Sequence, residues 1–569
     1  MHSLLRKLAL PGVLVVIGAC GGGPVAPPSP GTLPTPSVAC ASVATTQLTV
    51  GQHLIVDPST TSGCLRVPAS GPGGAQYLVV LGSTSGVKSS SGVQGPYLLR
   101  ASNPGGVVAA PTLAPPAPSG NASAPRPSAA AQFDATLRGR EQELLAQPGA
   151  RIFSSAPPIT TPPVVGEVKD FHVCANLACT TFGTVTATLK FVGTHAAVYL
   201  DNTVPTNDPL RDSDLAELGT AFDTYHYPID TTAFGRESDI DGNGVVDILM
   251  TDAVNSLTPD CADGRVLGFF FGSDLLNTPN SNHGEIFYTL VPAPQAGNCN
   301  AISRRTAVDN VKPTLIHEFQ HMISFNQHSI VRAGNSEEVW LNEALSHFAE
   351  ELGGRLIPDA ECTPAFPSCR SQYTSGDIFN AYDYLTNTEA DFVVFPTSST
   401  GTLPERGAAW LFLRWTLDQF AAPDPSFRGT DMTRALVGTT LTGAANLAAV
   451  TGSTMATMTP EWMMAIYLDD GPDLPAEPTG RLSYKSWGLR TIWTDPRNVQ
   501  FFPAGFPLNP DVIGGSYSHA GTLKAGSGRH FLISQPAQGA AVDLQVLKST
   551  AGTALDPALL ARFGIVRIH

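Results

Sequence analysis

The feature that most constrains this 569-residue chain is one stretch, Pro313 to Glu351. It reads as two helices that pack together. Leu315, Ile316, Phe319, Met322 and Ile323 supply the apolar side of the first, and Val339, Trp340, Ala344, Leu345 and Phe348 that of the second. Pro313 is expected in the first turn of its helix, where a missing N–H costs nothing. His317 and His321 are i and i+4, so both project from one face, one turn apart. Imidazoles so placed can reach a single tetrahedral Zn²⁺ at about 2.0–2.1 Å. Glu318 sits on the adjacent edge, where its carboxylate reaches a water on such an ion and acts as a general base.

Two histidines leave the site incomplete, and the third ligand decides its class. A metzincin carries Gly three residues, and a third His six residues, after the second His. Those positions here are Ser324 and Gln327, and His328 is one residue out of register. The second helix instead offers Trp340-Leu341-Asn342-Glu343-Ala344-Leu345-Ser346, with Glu343 lying 22 residues beyond His321. Packing the two apolar sides together makes Glu343 the third ligand and leaves a fourth position for water.

His-Glu-x-x-His followed by Asn-Glu-Ala-x-Ser resembles the thermolysin-like gluzincins. The longer string HEFQHMISFN…WLNEALSHFAEEL resembles more closely the hyicolysin family of secreted bacterial metallopeptidases. The resemblance spans about 40 residues. It implies one catalytic zinc held by His317, His321 and Glu343, with Glu318 as base in peptide-bond hydrolysis. One position departs from it. Thermolysin-like enzymes place an Asp four residues after the ligand Glu to orient the first His, and this chain has His347; Asp309 and Glu350 are the candidates for that task. Tyr382 and Tyr384 are candidate oxyanion donors, with packed core aromatics as the plainer reading. His328 is expected on the surface.

The rest of the chain reads as export, tether and frame. Arg6 and Lys7 precede an apolar run, Leu8 to Gly18, of signal-peptide length and too short to span a bilayer. It ends Ile17-Gly18-Ala19-Cys20, which resembles a bacterial lipobox and implies lipidation of Cys20. Residues 1–19 are thus a leader and 20–38 a Gly/Pro-rich tether. The expected location is the bacterial cell envelope, as a lipoprotein, or outside the cell. Eight further cysteines, an even number, suit disulfides in an oxidising compartment, and pairing of neighbours closes the shortest loops: Cys40–Cys64, Cys174–Cys179, Cys261–Cys299 and Cys362–Cys369.

The expected fold class is α+β: a zincin-like catalytic domain over 132–480, flanked by an N-terminal β-sandwich at 39–110 and a C-terminal β-domain at 481–569. A Pro/Ala/Ser-rich linker runs over 111–131, and 132–147 reads as a helix, a connector or part of a pro-segment. Glu237 to Asp252 sets Asp239, Asp241, Asn243 and Asp247 around Gly242 and Gly244, an alternation of oxygen ligands that suits a structural Ca²⁺. Met250 stands where an EF-hand needs its bidentate Glu, and an acidic hairpin turn is the competing reading. The net charge of −15 argues against nucleic acid as a partner. The chain is therefore expected to act as a monomer on protein or peptide substrates, touching membrane only through its lipid. The alternative is a surface lipoprotein with a degenerate zinc site, serving as a binding or adhesion module; retention of Glu318 argues against it. A zinc hydrolase of non-peptide substrates fits the motif as well.

Overall fold

The computed structural model describes residues 38–103, 129–150, 163–261, 264–297, 299–362, 366, 368–399, 401–471, 481–494, 502 and 505–569. The leader, Cys20, and nearly all of the tether and linker lie outside these residues. The chain opens with four strands, β1 (His53–Val56), β2 (Cys64–Val67), β3 (Ala75–Ser83) and β4 (Gln94–Asn103). Helix α1 (Ala129–Leu145) follows. A mixed unit then runs through β5 (Val168–Cys174), β6 (Phe182–Val192), β7 (Ala196–Asp201), α2 (Asp212–Ala221), α3 (Tyr227–Ala233), β8 (Val246–Met250), α4 (Asp252–Leu257), β9 (Gly268–Phe270) and β10 (Ile286–Thr289). Helices come next: α5 (Arg304–Phe325), α6 (Val339–Leu356), α7 (Cys369–Thr386), α8 (Leu403–Phe420), α9 (Thr430–Val437), α10 (Gly443–Thr451), α11 (Met455–Leu468) and α12 (Leu489–Thr494). Five strands close the chain: β11 (Asp511–Ile513), β12 (Gly515–Lys524), β13 (Gly528–Gln535), β14 (Val542–Leu547) and β15 (Ala561–Arg567).

The α+β class holds, but the two flanking β-domains are one. The first and last strands interleave as β1-β15-β3-β13-β11 in one sheet and β12-β4-β14-β2 in the other. Both sheets share a core that includes Leu65, Val79, Leu99, Phe531, Leu544 and Ile565. Alternating apolar residues mark each run as a half-buried strand, but they do not say which run pairs with which. The N-terminal strands find their partners more than 400 residues away, as in the pairing of Val79 with Phe531 and with Ile565.

The middle sheet runs β5-β6-β7-β8-β10-β9. Strands β7, β8 and β10 are parallel, and β9 returns antiparallel at the edge. β8 is buried along its whole length because both faces are covered. Val246, Ile248 and Met250 face the core shared with α5, and Leu249 faces the opposite layer with Phe133 and Leu137 of α1. A π turn at Phe222–His226 joins α2 to α3.

All four neighbouring disulfides form: Cys40–Cys64, Cys174–Cys179, Cys261–Cys299 and Cys362–Cys369. Among the described residues, no helix is long and apolar enough to cross a membrane.

Candidate metal centre

Helix α5 begins at Arg304, capped by Ser303, so Pro313 lies inside it and not in its first turn. A proline there removes the bond to the carbonyl four residues back. That carbonyl, of Asp309, accepts instead from Gln372 Nε2 of α7 at 3.1 Å. The helix therefore continues through the proline to the histidines, its orphaned acceptor satisfied by the neighbour that packs on it.

Helices α5 and α6 bring three side chains together. His317 Nε2 lies 3.7 Å and His321 Nε2 3.5 Å from the Glu343 carboxylate. One donor atom from each residue falls within 4.8 Å of the other two. One outer nitrogen is held from behind. His317 Nδ1 is 2.9 Å from Glu350 Oε1, so Glu350, one turn beyond His347, orients the first histidine. Asp309, the other candidate, pairs with Arg305 at 2.6 Å and is excluded. Ser346 Oγ donates to Gln320 Oε1 at 2.6 Å and lies at the edge of the His321 ring, 3.0 Å from Nδ1 and 3.2 Å from Nε2. Glu350 turns the His317 Nε2 lone pair toward Glu343.

His347 takes an unexpected part. Its Nδ1 is 2.8 Å from Asp377 and 3.4 Å from Glu350, and its ring lies 4.9 Å from that of His317. Burial disfavours its charge, but the Glu350 and Asp377 carboxylates outweigh this and lift it to about 10. Its ring bridges Glu350 and Asp377 and so holds Glu350 beside His317. Burial opposes ionisation of Glu350 too, but His347 and His317 hold it down to about 2.

Glu318 lies on the β9 side of the site. Its Oε2 accepts the Phe270 N–H at 3.0 Å. Burial first, then the Asp134 charge, pushes it well above the usual carboxylate range. Burial also raises Glu343, to about 8, against the pull of Arg406. His321 is driven far below its ordinary value, chiefly by burial, and is a neutral imidazole.

Two arginines not anticipated from the sequence complete the surroundings. Arg406 of α8 lies 2.8 Å from Glu343 Oε2 and donates to Asp134 of α1, also at 2.8 Å. It can reach Glu343 because Gly407 lets α8 press onto α7: a Cβ there would stand 2.3 Å from the backbone of Asn380. Arg138 of α1 pairs with Glu141 at 3.0 Å. No periodicity or local motif points to either arginine, since each acts across elements far apart in the chain.

The donor set fits a divalent cation. Four buried carboxyl groups, Asp134, Glu141, Glu318 and Glu343, gather beside two guanidiniums, Arg138 and Arg406. Neither Glu343 oxygen makes a hydrogen bond of good geometry. Two neutral imidazoles and a carboxylate are the donors of a catalytic Zn²⁺ site.

The other expected site residues are placed as follows. The Tyr384 hydroxyl meets Ser527 Oγ at 3.2 Å, and its ring stacks on Trp462. Tyr382 packs against Phe502 and Trp493. Their environment is that of core aromatics. His328 is fully buried, 3.9 Å from Glu337, and not on the surface.

The acidic loop assembles a different set from the one expected. Asp239 and Asp241 converge with Glu285, their oxygens within 4.8 Å of one another. Glu285 directly precedes β10 and is 3% exposed; its Oε1 accepts the Ile240 N–H, and its Oε2 has no hydrogen bond. Asp247, on β8, is tied to Lys169 at 2.7 Å. Asn243 spends its Oδ1 on the Val245 N–H and so shapes the turn.

No protein-family model matches the chain. Over 167 residues it is 28% identical to the neutral metalloprotease ShpI of Staphylococcus hyicus, a match covering 29% of this chain and 36% of that protein. The chain thus spans about a third of that relative's length.

Proposed function

We propose that this chain is an exported, zinc-dependent endopeptidase of gluzincin type, akin to the hyicolysins. The observation that carries the reading is the convergence of His317, His321 and Glu343, with Glu318 one residue from the first ligand and fixed by the Phe270 N–H. The partial likeness to a neutral metalloprotease supports it. His317, His321 and Glu343 would hold the zinc. When bound, the ion supplies Lewis-acid polarisation of a carbonyl and lowers the pKa of a water.

The chain's own groups do the rest. Glu318 accepts a proton from the attacking water and delivers it to the leaving amine, and its burial strengthens its hold on that proton in between. Glu350, held by His347, keeps the His317 imidazole in the tautomer that presents Nε2. The outer edge of β9, where the Phe270 carbonyl lies beside Glu318, suits an extended peptide adding as a strand. That favours a peptide substrate over a small ester or amide.

We assign a second, structural cation, Ca²⁺, to Asp239, Asp241 and Glu285, an all-oxygen set with an unpaired buried oxygen. Attachment through a lipid on Cys20, action as a monomer and the absence of a nucleic-acid partner complete the proposal.

The test is zinc content together with proteolysis. Purified protein should carry about one zinc per chain and cleave casein in a chelator-sensitive way. Glu318→Gln should keep the metal and lose turnover. Full zinc with undiminished cleavage in that variant rejects the mechanism.

A further inference from the structure

Helix α1 lies where a substrate would. The outer edge of β9 presents the Phe270 carbonyl, and the Gly272 N–H follows just beyond the strand, at the start of a short 3-10 turn, Gly272–Leu275. Arg138 Nη2 donates to that carbonyl at 2.6 Å, and Glu141 Oε1 accepts that N–H at 2.7 Å. Alternate N–H and C=O groups on a sheet edge are what an added strand pairs with. Arg138 and Glu141, held to each other, satisfy one acceptor and one donor that an incoming peptide backbone would use.

Two further contacts fasten the helix. Phe133 and Leu137, i and i+4, are buried against the β9 layer, with the Phe133 ring edge-on to Phe269 at 4.9 Å. Asp134, one turn before Arg138, holds the Arg406 guanidinium that also contacts the metal-ligand candidate Glu343. One helix thus covers the edge strand and engages the surroundings of the zinc site. The flanking strands hold firm regardless of α1. Before it, β3 lies between β15 and β13, and β4 between β12 and β14. A cut on either side of α1 would leave these strands woven into the sandwich.

We propose that α1 is an autoinhibitory plug: it occupies the peptide-binding edge of β9, so the intact chain is latent until α1 leaves the cleft. This rests on the peptidase reading above. The plug competes with substrate and does not destroy the site, so its removal raises kcat/KM mainly through KM, while the zinc ligands stay as they are.

The experiment compares three forms of the full-length protein. They are the intact chain, an Arg138→Ala/Glu141→Ala double variant, and a chain carrying specific protease sites between residues 103 and 129 and between 150 and 163, cut at both. Each is assayed on a fluorogenic peptide with zinc content checked. The variant and the cut chain should exceed the intact chain by at least about tenfold in kcat/KM, the factor expected if the open state is under a tenth populated. A synthetic peptide of residues 129–145 should inhibit the cut chain competitively, and its Arg138→Ala/Glu141→Ala counterpart should not. Equal kcat/KM for intact and cut chains overturns the plug. Should the double variant fail to fold, the cut chain and the added peptide decide alone. If no form turns over substrate, the peptidase reading fails instead. Fluorescence anisotropy then judges the plug by itself: labelled 129–145 must bind the cut chain and be displaced by an extended peptide, and failure of either overturns it.

Discussion

Two acidic clusters among the described residues differ in one decisive respect. At the α5–α6 site the carboxylates are joined by two imidazoles, one backed by Glu350 and the other lying against Ser346. At the loop before β8 the set is oxygen alone: Asp239, Asp241 and Glu285. Acidic groups gather in both places, so acidity does not choose the ion. Donor type does: neutral imidazole nitrogen suits zinc, and hard carboxylate oxygen suits calcium. The first site also has a candidate base, Glu318, beside its candidate ligands, and the edge strand β9, covered by α1, beside that base. The loop site has neither, so an ion there can stabilise but has nothing to react with.

The largest expected effect separates chemistry from binding at the first site. Glu318→Gln should lower kcat by about 10²–10⁴-fold, the usual worth of a general base, with zinc content unchanged by metal analysis. No variant of the loop should reduce kcat comparably while zinc stays bound. Next comes Arg406→Met, which removes the guanidinium that Asp134 and Glu343 share and leaves Asp134 only its longer contact with Arg138. Such a loss costs about 3–5 kcal/mol, read as a lower midpoint in denaturant unfolding. Glu350→Gln should weaken zinc about 10–100-fold in competition with a chelator, because His317 loses the anion that fixes its orientation. An unchanged affinity would mean that His347 and the helix alone position that ligand.

The loop site yields the smaller effects. Saturating calcium should raise the melting temperature of the wild type and leave that of Glu285→Gln unmoved. Asp247→Asn, whose native carboxylate belongs to Lys169, should keep the calcium response. The pH dependence carries a sign. Burial, reinforced by Asp241 and Asp239, raises Glu285 to about 8. A carboxyl whose folded pKa lies above its unfolded value contributes stability that is full below the unfolded pKa, about 4.5, and is lost as pH rises through the folded one. In chelator, that contribution should fade between about pH 5 and pH 9, and calcium should restore it. The gap in melting temperature with and without calcium therefore widens with pH in the wild type and stays flat in Glu285→Gln.

Much of the first site was legible because it is local. His317, Glu318 and His321 share one helical turn, and Glu343, Ser346, His347 and Glu350 share the next helix, so a period of 3.6 residues already places them on common faces. Glu350 could be named as a candidate but not chosen over Asp309, because the choice depends on how α5 and α6 cross. The calcium loop misled for the opposite reason. Spacing favoured Asp247, but the register of β8 beside β10 turns Asp247 toward Lys169 and brings in Glu285, 44 residues beyond Asp241.

By itself the sequence determined the zinc-ligand candidates, the candidate base, the four short disulfide loops and the alternation that makes strands at both ends. Each of these depends on residues near one another in the chain, where helical and strand periods hold. Tertiary structure alone decided that the two end regions form one sandwich, that Gly407 lets Arg406 reach Glu343, and that α1 lies along β9. Those outcomes depend on which buried faces and unpaired edges meet, and no local period encodes a partner hundreds of residues away.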